Sequence, residues 1–258
     1  MRMCILRMLA AMGALFLMPT LASAIVNIEE LGLDTESEQG FSGRAGLALN
    51  GASGNTDKLG LATDAQLLWR YGLHTDMLIG SYTYSKTSGV RDTNRSFAHF
   101  RHRIRLDEAI AVEGFVQAQQ DEFARLSLRA LAGAGLRFSW RRQQTSIYLG
   151  LGSFYERERL KFEAGTTDPL RTDLWRGNTY LALHHRLNER LRLLNTIYIQ
   201  PAWQDASDIR LLEEAAMRVH LTKQLDLKLS VELSYDNRPP QQVESTDIIY
   251  KTALEFRF

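Results

Sequence analysis

The sequence predicts an all-β fold, a closed antiparallel transmembrane barrel of about 12 strands, from three observations. Long segments alternate apolar and polar side chains with a period of two. The connections between those segments alternate short and long, and the last segment carries aromatic residues up to Phe258. In hydrocarbon every backbone N–H and C=O needs an internal partner, so a sheet with an outward apolar face must close and abolish its edges.

The first segment has the form of an export signal. Arg2 and Arg7 supply a positive start, Met8 to Met18 an apolar run, and Ala22-Ser23-Ala24 a small-x-small cleavage site, so cleavage is expected after Ala24. Cys4 is the chain's 1 cysteine; it precedes the apolar run, cannot bear a lipoprotein lipid there, and leaves with the leader. Residues 25–40 read as a short acidic periplasmic lead-in and residues 41–258 as the barrel.

Strands are expected near 41–51, 58–71, 74–86, 94–106, 109–121, 126–140, 145–158, 174–187, 190–200, 209–222, 225–237 and 246–258. In the second, Leu59, Leu61, Thr63, Ala65, Leu67, Trp69 and Tyr71 oppose Lys58, Gly60, Ala62, Asp64, Gln66, Leu68 and Arg70. In the sixth, Leu126, Leu128, Ala130, Ala132, Ala134, Leu136, Phe138 and Trp140 oppose Ser127, Arg129, Gly133, Gly135, Arg137 and Ser139. In the eleventh, Leu225 to Tyr235 at odd positions oppose Asp226 to Asp236 at even ones. Connections at 72–73, 107–108, 141–144, 188–189 and 223–224 are tight, whereas 52–57, 87–93, 159–173, 201–208 and 238–245 are longer and polar. Short turns on one rim and long loops on the other are the pattern of an outer-membrane barrel, with both ends on the short-turn, periplasmic side. Trp69, Tyr71, Trp140, Phe256 and Phe258 fall at strand ends, where an aromatic girdle meets lipid headgroups.

Composition removes several function classes. With 45% hydrophobic and 24% charged residues the chain is too polar for a helical membrane bundle and too apolar for disorder. A balance of 31 basic against 30 acidic residues argues against nucleic acid as partner. Loss of Cys4 excludes thiolate zinc sites and cysteine nucleophiles. The 6 histidines make no spacing with a serine or acid that marks a catalytic or metal site, and neighbours His184 and His185 point to opposite faces of a strand. No enzyme activity, cofactor or metal is expected, and His102, on the outer face of its strand, is the residue to replace should a lipid-directed activity appear.

Ser53-Gly54-Asn55-Thr56-Asp57, the Asn94-Arg95-x-Phe97-x-His99-x-Arg101 strand, Asp121-Glu122-Phe123 and the run Arg129 to Arg137 together resemble the YdiY-like, salt-induced outer-membrane protein family over roughly 41–258. That family is itself of unknown function, so the resemblance implies a barrel and a location and no catalytic residues. The final strand, with Tyr250, Leu254, Phe256 and Phe258 on one face, resembles the C-terminal signal that outer-membrane proteins present to the barrel-assembly machinery. The location expected is the bacterial outer membrane, with its lipid and that machinery as partners and oligomeric state left open.

If the apolar faces meet lipid, the other faces line the lumen. Arg95, His99, Arg101, Arg103 and Arg105 then form a basic row on one strand, extended by Arg129, Arg137 and Arg176, with Asp64, Glu113, Asp121, Glu156 and Glu232 as acidic partners. Two readings stay open. In the first, the charges pair across a narrow interior and fill it, giving a structural, stress-related envelope barrel. In the second, the arginines lower the barrier for a small anionic solute in a narrow, anion-preferring diffusion channel. A lipid-modifying enzyme is the weakest alternative.

Overall fold

The computed structural model describes residues 39–54 and 57–258. They form the strands β1 (Gly40–Ala52), β2 (Lys58–Tyr71), β3 (His74–Thr87), β4 (Val90–Arg105), β5 (Ile110–Asp121), β6 (Leu126–Arg142), β7 (Thr145–Leu160), β8 (Arg171–Arg186), β9 (Leu191–Pro201), β10 (Ile209–His220), β11 (Leu225–Asp236) and β12 (Thr246–Arg257). Each pairs with the next, and β1 pairs with β12, so the sheet closes into an antiparallel barrel. The export signal and nearly all of the acidic lead-in lie outside the described residues; Gly40, read as part of that lead-in, opens β1.

The period of two becomes an inside and an outside. Leu47, Leu49, Leu67, Leu151, Leu181 and Leu254 are exposed on the outer face, while Arg101, Arg129, Arg137, Arg176 and Glu156 are buried within. That inversion of a soluble barrel's pattern defines a transmembrane barrel, because lipid solvates the apolar face. At the short-turn rim Phe41 stacks on Trp69 with centroids 5.3 Å apart, and Trp140, Phe256 and Phe258 stand exposed beside the turns or the chain end. Trp175 and Trp203 are exposed at the opposite, long-loop end.

Three local expectations are corrected. Positions 87–93 form no long loop: β3 and β4 run on to a two-residue turn at Ser88 and Gly89, whose φ values of 51° and 78° give the left-handed geometry that suits strand twist. The longest loop narrows to 161–170 because β7 and β8 both extend beyond the expected limits. Leu126, placed on the lipid face, is buried inside, because a register shift between Leu126 and Leu128 adds a residue to β6 and reverses the facing before it.

The β1–β12 seam is short. Three residue pairs, Arg44–Arg257, Ala45–Phe256 and Gly46–Glu255, form its register, and two hydrogen bonds of 2.9 and 3.1 Å join Gly43 and Phe258 beside them. The β2–β3 ladder, by contrast, runs from Lys58–Thr87 to Tyr71–His74.

Candidate functional site in the charged lumen

Two carboxylates organise the interior. Glu113 on β5 accepts from Arg101 Nη1 at 3.1 Å, from Arg103 Nε at 2.6 Å and from the Tyr180 hydroxyl of β8 at 2.9 Å. Arg137 Nη1 stands 3.8 Å from the same group, donates to the Tyr180 hydroxyl and lies over the Tyr148 ring at 4.0 Å. Gly150 makes room for this crossing: a Cβ there would run into the Tyr180 ring.

Glu156 on β7 is the second centre. Arg129 donates through Nε at 2.9 Å, Arg210 of β10 through Nη1 at 2.8 Å, and Arg176 Nε lies 3.6 Å away. Arg210 also reaches Glu158 at 3.2 Å and Asp236 at 2.7 Å, and Arg176 reaches Asp208 at 2.9 Å. Arg210–Glu156 and Tyr180–Glu113 each join strands three apart in the barrel, so these bonds cross the lumen instead of following its wall. Around the other side, Lys228 pairs with Glu214 at 2.8 Å, Lys251 with Glu232 at 2.9 Å, Arg218 with Glu255 at 3.0 Å and Arg257 with Asp226 at 3.0 Å.

The residues singled out from sequence fall as follows. Arg101, Arg103 and Arg137 converge on Glu113, and Arg129 and Arg176 on Glu156. Arg95 stands opposite Asp121 in the β4–β5 register, His99 is buried against Gln117 at 3.1 Å, and Arg105 is exposed at the short-turn rim. Asp64 faces Gly46, and Tyr250, Leu254, Phe256 and Phe258 share the outer face of the last strand. The row on β4 is therefore interlocked with acids instead of standing as a file of cations. Arg210 and Tyr180 were missed, although strand parity with Glu214 and Arg176 would have placed both inside. Arg125 carries no such signal, because it sits in a loop, with φ 58°, where no strand period sets the facing of a side chain.

Arg125 ties the long-loop mouth together. Its guanidinium donates to Asp168 Oδ2 at 2.6 Å, to the Gln241 carbonyl at 2.8 Å and to Thr166 Oγ1 at 2.9 Å, and Gln241 Nε2 donates to Thr167 Oγ1 at 2.9 Å. Loops 122–125, 161–170 and 237–245 are thus clasped over the opening. Nearby, Arg238 and Ser207 bond Asp205, whose carboxyl is held down to about 2 by its hydrogen bonds to Ser207 and then to Arg238.

On the outside, near the short turns, His102 Nδ1 lies 2.6 Å from Asp76, His74 Nδ1 lies 3.3 Å from His102 Nε2, and the Tyr71 hydroxyl donates to Asp76 at 3.1 Å. The cluster has the acid and base of a relay, but no serine or threonine hydroxyl bonds either ring among the described residues. It extends the ring ladder from Phe41 through Trp69 and Tyr71 to His74. Among the described residues no three His, Cys, Asp or Glu side chains are grouped so as to hold a metal.

An apolar-coated closed barrel with an ion-paired interior places the molecule among the transmembrane β-barrels. The chain belongs to the family described as "Protein of unknown function, DUF481", whose model matches residues 45–258. No curated protein matches the sequence. Among solved structures it is similar to the NanC porin, at 10% identity and TM-score 0.46, covering 84% of this chain and 97% of that one. It is also similar to the translocator domain of the autotransporter NalP from Neisseria meningitidis, at 12% identity and TM-score 0.47, covering 88% and 91%. The KdgM porin in complex with disordered oligogalacturonate gives 9% identity and TM-score 0.46, covering 84% and 99%.

Proposed function

We propose that this protein is an outer-membrane barrel of the envelope whose lumen is closed by its own ion-paired side chains, and that it serves a structural, stress-related role. One observation carries the reading. The largest fully buried side chains are Arg101, Arg129, Arg137, Arg176, Arg218, Tyr148, Phe154, Leu212, His99, Glu156 and Thr196, and every one of them is on an inward position. A water-filled pore wets its lining, as in barrels of about 16–18 strands, whereas barrels of about eight fill with side chains, and in this twelve-stranded barrel the buried arginines do the filling. The export signal, the aromatic girdles and the final strand support placement in the outer membrane, with lipid and the barrel-assembly machinery as partners and the YdiY-like, salt-induced proteins as relatives.

The narrow anion-preferring channel has one observation in its favour. On β12 and β1 the inward Lys251 side chain is 47% exposed and Ala48 is exposed, so the seam side of the interior is less tightly filled. Single-channel recording of the purified, folded protein in a planar bilayer under a salt gradient decides between the two. A silent membrane, with circular dichroism showing folded barrel, is the expected outcome. A discrete conductance whose reversal potential reports anion preference overturns the closed-lumen reading.

A further inference from the structure

Beneath the clasped loops lies a cavity of about 50 Å³ bordered by the ends of β6, β7, β10, β11 and β12 and by loop 237–245. Leu126, Leu160, Pro239, Pro240 and Val243 supply apolar walls, Glu158, Asp236, Glu244 and Asp247 supply carboxylates, and Arg210 lines it with a guanidinium already paired to Glu156, Glu158 and Asp236. The inward reversal of Leu126 at the β6 bulge is what brings an aliphatic side chain to this wall. By volume the space takes a group of a few heavy atoms, since one water needs roughly 10–15 Å³ of such space.

The carboxylates are not equivalent. Glu158 and Asp236 are held by Arg210, at 3.2 and 2.7 Å. Asp247 is different: it is 8% exposed, lines the cavity, and among the described residues makes no hydrogen bond or ion pair. The charged groups that act on it most strongly are Asp121, Arg95, Glu244 and Glu232, three carboxylates and one guanidinium. Arg95 is shared with Asp121, opposite it in register, and Glu232 is taken by Lys251. A buried carboxylate in such surroundings is costly unless a cation is supplied. With no metal-holding group of His, Cys, Asp or Glu side chains among the described residues, and with aliphatic and proline walls, the chemistry favours an organic cation over a metal ion.

We infer that this cavity binds the primary ammonium end of a small alkylamine arriving from the long-loop side, with Asp247 as counter-ion and the apolar walls around the alkyl stem. The site sits above the Glu156 centre, so it holds whether or not the lumen conducts. The test is calorimetric titration of n-butylammonium into the detergent-folded protein at neutral pH and low salt, with n-butanol as uncharged control. Saturable binding of the amine and none of the alcohol is expected. Asp247→Asn should weaken it about tenfold or more, as loss of a charge-assisted bond does. Val243→Trp, which fills the wall and keeps the carboxylate, should also abolish it, with a thermal midpoint no lower than that of the wild type confirming that both variants fold. Absence of saturable binding, equal binding of amine and alcohol, or an amine affinity untouched by Asp247→Asn would each overturn the assignment.

Discussion

Neutralising Glu156 is the sharpest probe of the interior. Glu156→Gln keeps the shape and removes the charge from between three guanidinium groups. Arg210 retains Glu158 and Asp236, and Arg176 retains Asp208. Arg129, fully buried, then faces Glu158 at 4.0 Å. Breaking one side of a buried ion pair costs about 3–5 kcal/mol. Because two of the three arginines keep good partners, the lower end applies, about 3 kcal/mol, which for a domain of this size is roughly 6–12 °C in Tm. Thermal unfolding in detergent, followed by circular dichroism and by the mobility difference between folded and unfolded barrel on gels, measures it. The companion variant Glu156→Gln with Arg129→Met should recover part of the loss, since an apolar replacement of the pair removes the buried cation along with its counter-charge. A midpoint within about 2 °C of the wild type for Glu156→Gln would refute the idea that this network holds the interior.

Two further outcomes follow from the same geometry. Gly150→Ala places a methyl where the Tyr180 ring crosses and should destabilise the barrel by about 1–3 kcal/mol, read as a lowered midpoint in the same melt. Asp205 sits in an exposed loop with its carboxyl depressed to about 2, so the clasp it makes with Ser207 and Arg238 is fully present above the ordinary aspartate range near 4 and is lost as pH falls through about 2. Protection factors against hydrogen exchange in loops 202–208 and 237–245, corrected for the intrinsic rate at each pH, should therefore fall between pH 4 and pH 2, and Asp205→Asn should remove that change.

How much of this was legible depends on the solvent each segment meets. Where a strand divides lipid from lumen, one face must be apolar, and the alternation at Leu59 to Tyr71 or Leu225 to Asp236 marks β2 and β11 to the residue or nearly so. Above the membrane that demand stops. Val90 to Thr93 are in strand but carry no apolar face, so the β3–β4 hairpin read as a loop. The extra residue near Leu126 left no mark in composition, and its inward turn had to come from the register. Parity put Arg101, Arg129, Arg137 and Arg176 inside. It could not show that Glu156 meets Arg210, because strands three apart become neighbours only when the sheet curls round a narrow axis. Asp247 illustrates the same limit: its isolation is a property of what surrounds it, not of the residues beside it in sequence.

The short seam between β1 and β12 sets the order in which this object can come into being. Every other ladder is a hairpin that zips from its turn, bringing together residues already close along the chain. The seam joins the two ends of the barrel segment, the most distant partners in it, and does so with three register pairs and the reciprocal bonds of Gly43 and Phe258. The entropy of closing so long a loop falls on the fewest bonds, so closure comes last and reopening first. Until then both edge strands carry unpaired backbone groups and are open to pairing with another chain. Once Phe258 bonds Gly43, both open edges disappear together, so the last stitch formed is also the one that removes every exposed edge of the sheet.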